Sequence, residues 1–262
     1  MSRQEDLVRI EEALRLAEKV LEPFTPGAIA VERKAGGDPV TEADWRVNET
    51  LYNALPREGE GWLSEETVVD LERLEKTRVW VDDPLDGTRE FVEGLPEWSV
   101  SVGLVENGQP VAGGILNPAT GQLVIGALGH GVNLNGEAAR VTDRTDLEGA
   151  VVMASRSEVR RGEWKRFEDQ GFEVKACGSV AYKLAMVAAG IVDATWTLVP
   201  KNEWDVVAGV ALVRAAGGQI EVLNEPQRAF NQRVPLMPGL LAYGPTLHDS
   251  IQDVIARTAD SD

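Results

Sequence analysis

The chain has 262 residues, 43% of them hydrophobic, and carries 43 acidic against 26 basic side chains for a formal net charge of -17. That surplus repels a nucleic-acid backbone and anionic membranes, so a bound anion needs local positive help, most simply a metal. One cysteine, Cys177, excludes an internal disulfide, and with only His130 and His248 beside it no soft-ligand zinc cluster can form, so any metal is held by oxygen.

Leu7, Ile10, Leu14, Ala17 and Leu21 recur at three- and four-residue steps between charges, which predicts an amphipathic first helix ended by Pro23 and Pro26. Thr41-Glu42-Ala43-Asp44 reads as a capping sequence that opens a second helix through Trp45, Val47 and Leu51, with Asp44 in its first turn. From Val79 the pattern turns to strands: Val79 to Val81, the alternating run Trp98 to Leu104, a turn at Asn107-Gly108, then Val111 to Leu116 and Gln122 to Ala127 as an antiparallel meander. Beyond about Gly136 strands and helices alternate: strand Val151 to Ala154, helix Trp164 to Gln170, strand Phe172 to Lys175, helix Ser179 to Gly190, helix Val206 to Ala216 closed by Gly217-Gly218, strand Gln219 to Leu223. The expected organisation is an α+β part over residues 1–136 and an α/β part over 137–262. No apolar run approaches the roughly 20 residues of a membrane span, and no leader pattern opens the chain, so a soluble, cytoplasmic protein is expected.

The densest chemical signal is Asp82-Asp83-Pro84-Leu85-Asp86-Gly87-Thr88. Acids leave the end of a hydrophobic strand, Pro84 stiffens the turn, and Gly87 lets the backbone approach a ligand. Carboxylates clustered at a strand end ask for a divalent cation, although the same string also suits a solvated loop. Leu63-Ser64-Glu65-Glu66-Thr67 and Asn202-Glu203-Trp204-Asp205 add acids elsewhere, where Asp205 reads equally as a helix cap.

The ordered blocks Asp-Pro-Val-Thr-Glu-Ala-Asp (38–44), Ser-Glu-Glu (64–66), Asp-Pro-Leu-Asp-Gly-Thr (83–88) and Trp-Asp (204–205) resemble the inositol monophosphatase superfamily over nearly the whole chain. The resemblance implies a layered αβαβα sandwich and a magnesium-dependent, lithium-sensitive phosphomonoesterase. It implies that Glu65, Asp83 and the Leu85 carbonyl hold one magnesium and that Asp83, Asp86 and Asp205 hold a second. Glu65 is also available to a weak third ion, and Asp82 has no ligand role. Thr88 and Asp44 are the implied pair that orients and deprotonates the attacking water, with Gly87 and Thr88 amides turned to the phosphate.

Within the superfamily, the block Lys34 to Thr41, Arg89-Glu90-Phe91, Ser155-Arg156-Ser157 and Glu203-Trp204-Asp205 resemble the 3'(2'),5'-bisphosphate nucleotidases, which take the 3'-phosphate from 3'-phosphoadenosine 5'-phosphate. Arg156 and Lys201 are the candidates for a second phosphate, and Gly178 and Ser179 for the pocket wall, with helix capping by Ser179 as the other reading. Glu158 departs from the histidine usual there in nucleotidases, and Thr197 stands near where inositol enzymes carry an acid. Inositol-1-monophosphatase, fructose-bisphosphatase and histidinol-phosphatase activities therefore remain alternatives, as does a catalytically silent metal- and phosphate-binding protein. The expected partner is a small phosphorylated substrate, with neither nucleic-acid polymer nor membrane, and a homodimer is common in the superfamily.

Overall fold

The computed structural model describes residues 2–34, 36–67 and 70–259. Helix α1 (Arg3–Leu21) starts at a reciprocal cap between Ser2 and Glu5 and buries Ile10, Ala13, Leu14, Ala17 and Leu21 along one stripe. A short hairpin, β1 (Glu32–Arg33) with β2 (Pro39–Val40), leads into α2 (Glu42–Ala54). The first sheet has seven strands in sequence order: β3 (Gly61–Ser64), β4 (Arg78–Asp86), β5 (Ser99–Glu106), β6 (Gln109–Asn117), β7 (Gln122–Ala127), β8 (Gly131–Leu134) and β9 (Glu137–Ala139). Only the β3–β4 pair is parallel; the rest is the expected meander. A six-residue helix, α3 (Thr88–Glu93), follows β4.

Strand β10 (Val151–Ser155) begins the second sheet, followed by α4 (Arg156–Arg161), β11 (Glu173–Cys177), α5 (Val180–Ala188) and β12 (Ala194–Thr197). Then come β13 (Lys201–Asn202), α6 (Glu203–Ala215), β14 (Gln219–Val222), β15 (Leu236–Met237), β16 (Leu240–Tyr243) and α7 (His248–Ala259). The five strands lie in the order β11-β10-β12-β16-β14, parallel among the first three and antiparallel at β16.

Three apolar cores stack the layers. Helices α1 and α2 cover one face of the seven-stranded sheet with Leu14, Val47 and Leu51 against Trp80, Val102 and Leu116. Helices α5 and α6 fill the space between the sheets, packing Leu184, Val207 and Leu212 against Val79, Val81 and Ile115 on one side and Leu240 and Ala242 on the other. The outer face of the second sheet is closed by Trp164, Phe167, Leu247 and Ile251. This is the αβαβα sandwich, with mixed rather than purely parallel pairing in the second sheet.

The contact between α6 and the first sheet is unusually close because two strand positions lack side chains. A Cβ on Gly103 would lie 2.6 Å from Val207 and 2.8 Å from the Ala208 backbone, and one on Gly113 would lie 2.5 Å from the Ala208 carbonyl. The sequence expectation fails at Trp164 to Gln170, where only a 3-10 turn, Lys165–Phe167, forms. Trp164 and Phe167 both pack on Trp196, at centroid separations of 5.0 and 5.4 Å, and Asp169 and Gly171 take left-handed conformations that stop helix propagation. Among the described residues no helix is long and apolar enough to cross a membrane.

The α1 layer is tied to the sheet by a buried carboxylate. Glu60 accepts from Arg9 at 2.6 Å, Trp80 Nε1 at 2.9 Å and Arg78 Nε at 3.1 Å. Burial opposes its ionisation, but these donors outweigh it and hold the pKa down at about 2. A carboxyl depressed from the ordinary 4.5 favours folding above that pH and loses its contribution as pH falls towards 2. Glu60→Gln should therefore cost about 3 kcal/mol near neutrality, as removal of one partner of a buried ion pair does. It should also flatten the acid limb of a denaturation curve between those two pH values, and an acid limb identical to the parent's would contradict the assignment.

Candidate active site

Strand β4 ends in the aspartate run, and a bulge there arranges the carboxylates. Asp83 pairs with Ser101 and Asp86 with Ser99, so three steps along β4 match two along β5. In a regular strand residues three apart face opposite sides; the extra residue at Pro84-Leu85 brings Asp83 and Asp86 to the same face. Asp82 takes the opposite face, next to Ser64, whose hydroxyl is 3.2 Å away. Burial pushes Asp82 well above the usual carboxylate range, and its Oδ1 has no partner among the described residues.

Glu65 follows β3, whose Ser64 is in register with Asp82, and so it comes alongside Asp83. Asp205 arrives from the first turn of α6. Glu65, Asp83 and Asp205 each bring a carboxylate oxygen within 4.8 Å of the other two. Burial first, then the charges of Glu65, Asp86 and Asp205, raise Asp83 well above its ordinary pKa; burial and the charges of Asp86 and Glu65 do the same to Asp205. Oxygens of Asp83 and Glu65 lie within 4.8 Å of one another, a carboxyl-to-carboxyl approach that a proton or a cation between them relieves. An all-oxygen, acid-rich donor set of this kind fits a hard divalent ion such as magnesium.

Asp86 stands beside this trio and not within it. Its Oδ2 accepts from Ser179 Oγ at 2.7 Å and from the Ala181 amide at 2.6 Å, at the start of α5. Burial raises its pKa, against the pull of those bonds and of Lys183. The carbonyl of Leu85 accepts from Thr88 Oγ1 at 3.0 Å. The same hydroxyl lies 3.0 Å from Asp44 Oδ1.

Two of these carboxylates double as caps. Asp44 is the third residue of α2, and its Oδ2 accepts from the Thr41 amide at 2.8 Å and the Thr41 hydroxyl at 2.6 Å. Asp205 is the third residue of α6, and its Oδ2 accepts from the Asn202 amide at 2.9 Å. The capping and site readings of Asp205 are thus both satisfied, by one carboxylate.

Gly87 has φ +98, and a Cβ there would press on Glu97 O and Trp98 Cα at 2.9 and 3.1 Å, so only glycine fits between β4 and α3. Gly178 and Ser179 line the same cleft, of ≈ 340 Å³. Ser179 is chiefly a scaffold, since its hydroxyl caps Tyr182 N at 2.9 Å, meets Ser99 at 3.0 Å and holds Asp86. Arg156 and Lys201 also line the cleft, each already paired: Arg156 with Glu97 at 2.6 Å, Lys201 with Glu158 at 3.2 Å. Thr197 donates to that same Glu158 carboxylate at 2.6 Å, so the two departures noted in the sequence meet in space.

Three residues of the site region had no role in the sequence reading, although Lys34 and Glu66 stood within its motif blocks. Lys34 bridges Glu65 and Glu66, with Nζ 2.6 Å from each. Burial pushes the Glu66 carboxyl up to about 7, with Lys34 opposing. Lys183 is buried in the cleft wall, donating to Ser179 O at 2.8 Å; its signal was a lone cation inside the apolar run Val180 to Ala188.

The profile of the inositol monophosphatase family matches residues 3–260. The chain belongs to the inositol monophosphatase family. It is 32% identical over 237 residues to a fructose-1,6-bisphosphatase/inositol-1-monophosphatase of Thermotoga maritima, covering 88% of each chain. It is 35% identical over 210 residues to an inositol-1-monophosphatase of Mesorhizobium japonicum, covering 76% of this chain and 77% of that one. Among solved structures, an IMPase of Thermotoga maritima superposes with a TM-score of 0.84 over 99% of both chains at 27% identity. Members of the family are metal-dependent phosphomonoesterases, and this chain is accordingly a metal-dependent hydrolase of that kind, carrying the acidic cluster described above, with Asp83 buried and Glu65 and Asp205 half-buried.

Protons and metal compete for this cluster. Because burial and then the neighbouring acids raise the Asp83 and Asp205 carboxyls, binding of magnesium must displace protons, so affinity should fall as pH is lowered and protons should be released on binding. Titration calorimetry in two buffers of different ionisation enthalpy checks this. Affinity that does not fall as the pH is lowered, with no protons released on binding, would count against the cluster as the metal site.

Proposed function

We propose that the chain hydrolyses a small phosphate monoester in the cleft between the two parts of the sandwich, residues 1–136 supplying Glu65, Asp83 and Asp86 and residues 137–262 supplying Asp205. The observation that carries the proposal is the convergence of Glu65, Asp83 and Asp205 beside the Asp44–Thr88 hydrogen bond. In it, Glu65, Asp83 and the Leu85 carbonyl hold one magnesium; Asp83, Asp86 and Asp205 hold a second; Glu65 can serve a weak third. Bound there, magnesium supplies Lewis acidity towards the phosphoryl oxygens and lowers the pKa of a coordinated water.

The protein's own part is orientation and proton handling. Asp44 has one oxygen committed to Thr41, so its other oxygen is fixed as the acceptor for Thr88. The Thr88 hydroxyl then turns its lone pairs outward to accept from the attacking water, and as it takes the water's proton it passes its own to Asp44. Burial raises Asp44 above the ordinary carboxylate range, which suits a group that must accept a proton. Amides of Gly87 and Thr88 face the phosphate in this scheme, and Gly178 and Ser179 bound the leaving group.

For the leaving group, the cationic cleft wall of Arg89, Arg156, Arg161 and Lys201 supports a second phosphate on the substrate, as in 3'-phosphoadenosine 5'-phosphate. A second reading, inositol 1-phosphate, is favoured by the internal pairing of Arg156 with Glu97 and of Lys201 with Glu158, and by the names of the relatives. The proposal includes a cytoplasmic setting, in keeping with a single buried thiol, and a homodimer, which sedimentation would decide.

Magnesium-dependent phosphate release should be measured on inositol 1-phosphate, 3'-phosphoadenosine 5'-phosphate and fructose 1,6-bisphosphate, with and without lithium. Turnover of at least one, with lithium inhibition, is the expected outcome; no release from any of them would favour a silent binding protein. Asp83→Asn and Asp205→Asn should each lower kcat about a hundredfold or more, the scale on which a transition-state charge partner acts. Thr88→Val should do the same with the magnesium requirement unchanged. If the bisphosphate is the substrate, Arg156→Ala should raise KM for it and leave KM for inositol 1-phosphate unaltered.

A further inference from the structure

A glutamate at the first position of a helix ordinarily sits in solvent, where it gains a few tenths of a kcal/mol from the helix dipole. Glu203, which opens α6 two residues before Asp205, is instead completely buried. Its Oε2 accepts from the Asn231 amide at 2.7 Å, and its Oε1 accepts from Arg228 at 3.1 Å and the Gln232 amide at 3.2 Å. Its own amide donates to Pro235 O at 2.8 Å. One residue, by its side chain and its amide, thus gathers the segment 228–235 around the start of α6.

That segment is held from the other side as well. Arg73 donates to Gln232 O at 2.8 Å and to the Asn231 side chain, which in turn donates to Arg73 O at 3.0 Å. The Phe230 amide donates to Gly108 O, at the β5–β6 turn, at 2.8 Å. Glu203 is therefore the inner end of a brace that runs from α6 through residues 228–232 to the first sheet, the same sheet that carries Asp83.

We infer that Glu203 is a positioning residue for the metal site: it pins the first turn of α6 so that Asp205 stays within reach of Glu65 and Asp83. The need is physical. Asp205 is pushed away by the other acids, and the first turn of a helix is where fraying begins. The cap bond from Asn202 fixes the Asp205 side chain to its own turn but does not anchor that turn to the sheet. Glu203 supplies the anchor. The inference rests on the proposed role of Asp205 as a ligand.

The test is magnesium binding to the full chain by titration calorimetry, with far-UV circular dichroism on every variant. Asp205→Asn should remove most of the binding; if it does not, the ligand assignment itself fails, whatever Glu203 does. With Asp205 upheld, Glu203→Gln should keep the fold and weaken magnesium about tenfold, as loss of a support behind a ligand does. At saturating magnesium its kcat should stay within about twofold of the parent, because a positioning residue acts on the metal and not on the chemical step. Asp6→Asn, an equally buried acid in the remote Arg3–Arg78 cluster, should leave magnesium affinity unchanged. If Glu203→Gln does not fold, Arg228→Met carries the test, with a smaller loss expected. A folded Glu203→Gln or Arg228→Met that binds magnesium like the parent overturns the inference, as does an equal loss in Asp6→Asn.

Discussion

Mutual repulsion among acids crowded into one cleft, Asp83 and Asp86 buried and Glu65 and Asp205 partly so, is the constraint on which the rest of the structure turns. Glu65, Asp83, Asp86 and Asp205 come from two sheets' worth of elements, and each raises the cost of ionising its neighbours. A fold left to relax would separate them. The sandwich instead drives them together through apolar contacts made elsewhere, chiefly the α5–α6 layer filling the space between the sheets. A divalent cation then relieves what packing has imposed, and chemistry at phosphorus is the use to which that strain lends itself.

Each acid is held by bonds that leave the other oxygen for the site. Asp44 and Asp205 commit Oδ2 to helix caps, and Asp86 commits Oδ2 to Ser179 and Ala181. The β4 bulge turns Asp83 and Asp86 to one side, which pleating alone would forbid. The site is therefore assembled from ordinary devices of local structure: two capping boxes, a bulge and a left-handed glycine.

Much of this could be read in the sequence. The first two helices, the meander and the helices bearing Ser179 and Asp205 announced themselves by periodicity and capping residues, since a half-buried face leaves a regular trace. The acidic trio Glu65, Asp83 and Asp205 was legible only through ordered motif blocks, because no spacing rule brings Glu65 and Asp205 together across 140 residues. What stayed hidden depends on long-range pairing. The Trp164 segment has a helical composition, yet ring packing on Trp196 holds it as a single tight turn. Strand β16 is a short apolar run without alternation and β12 is only four residues long, and both are buried throughout, so neither leaves a half-buried trace. The internal partners of Arg156 and Lys201 were equally out of reach, so two cations that looked available for substrate proved to have carboxylates beside them.

The bare positions Gly103 and Gly113 give α6 its seat against the sheet, and that seat works as a gauge. Added bulk at either would lift the helix bodily by a fraction of an ångström to an ångström, and Asp205 rides on that helix. Metal coordination tolerates displacements of only a few tenths of an ångström. Tolerance at these two glycines is thus set less by the stability of the fold than by the bite of the candidate metal site several residues away along α6, so two bare positions on β5 and β6 are tied to a site that they themselves do not line.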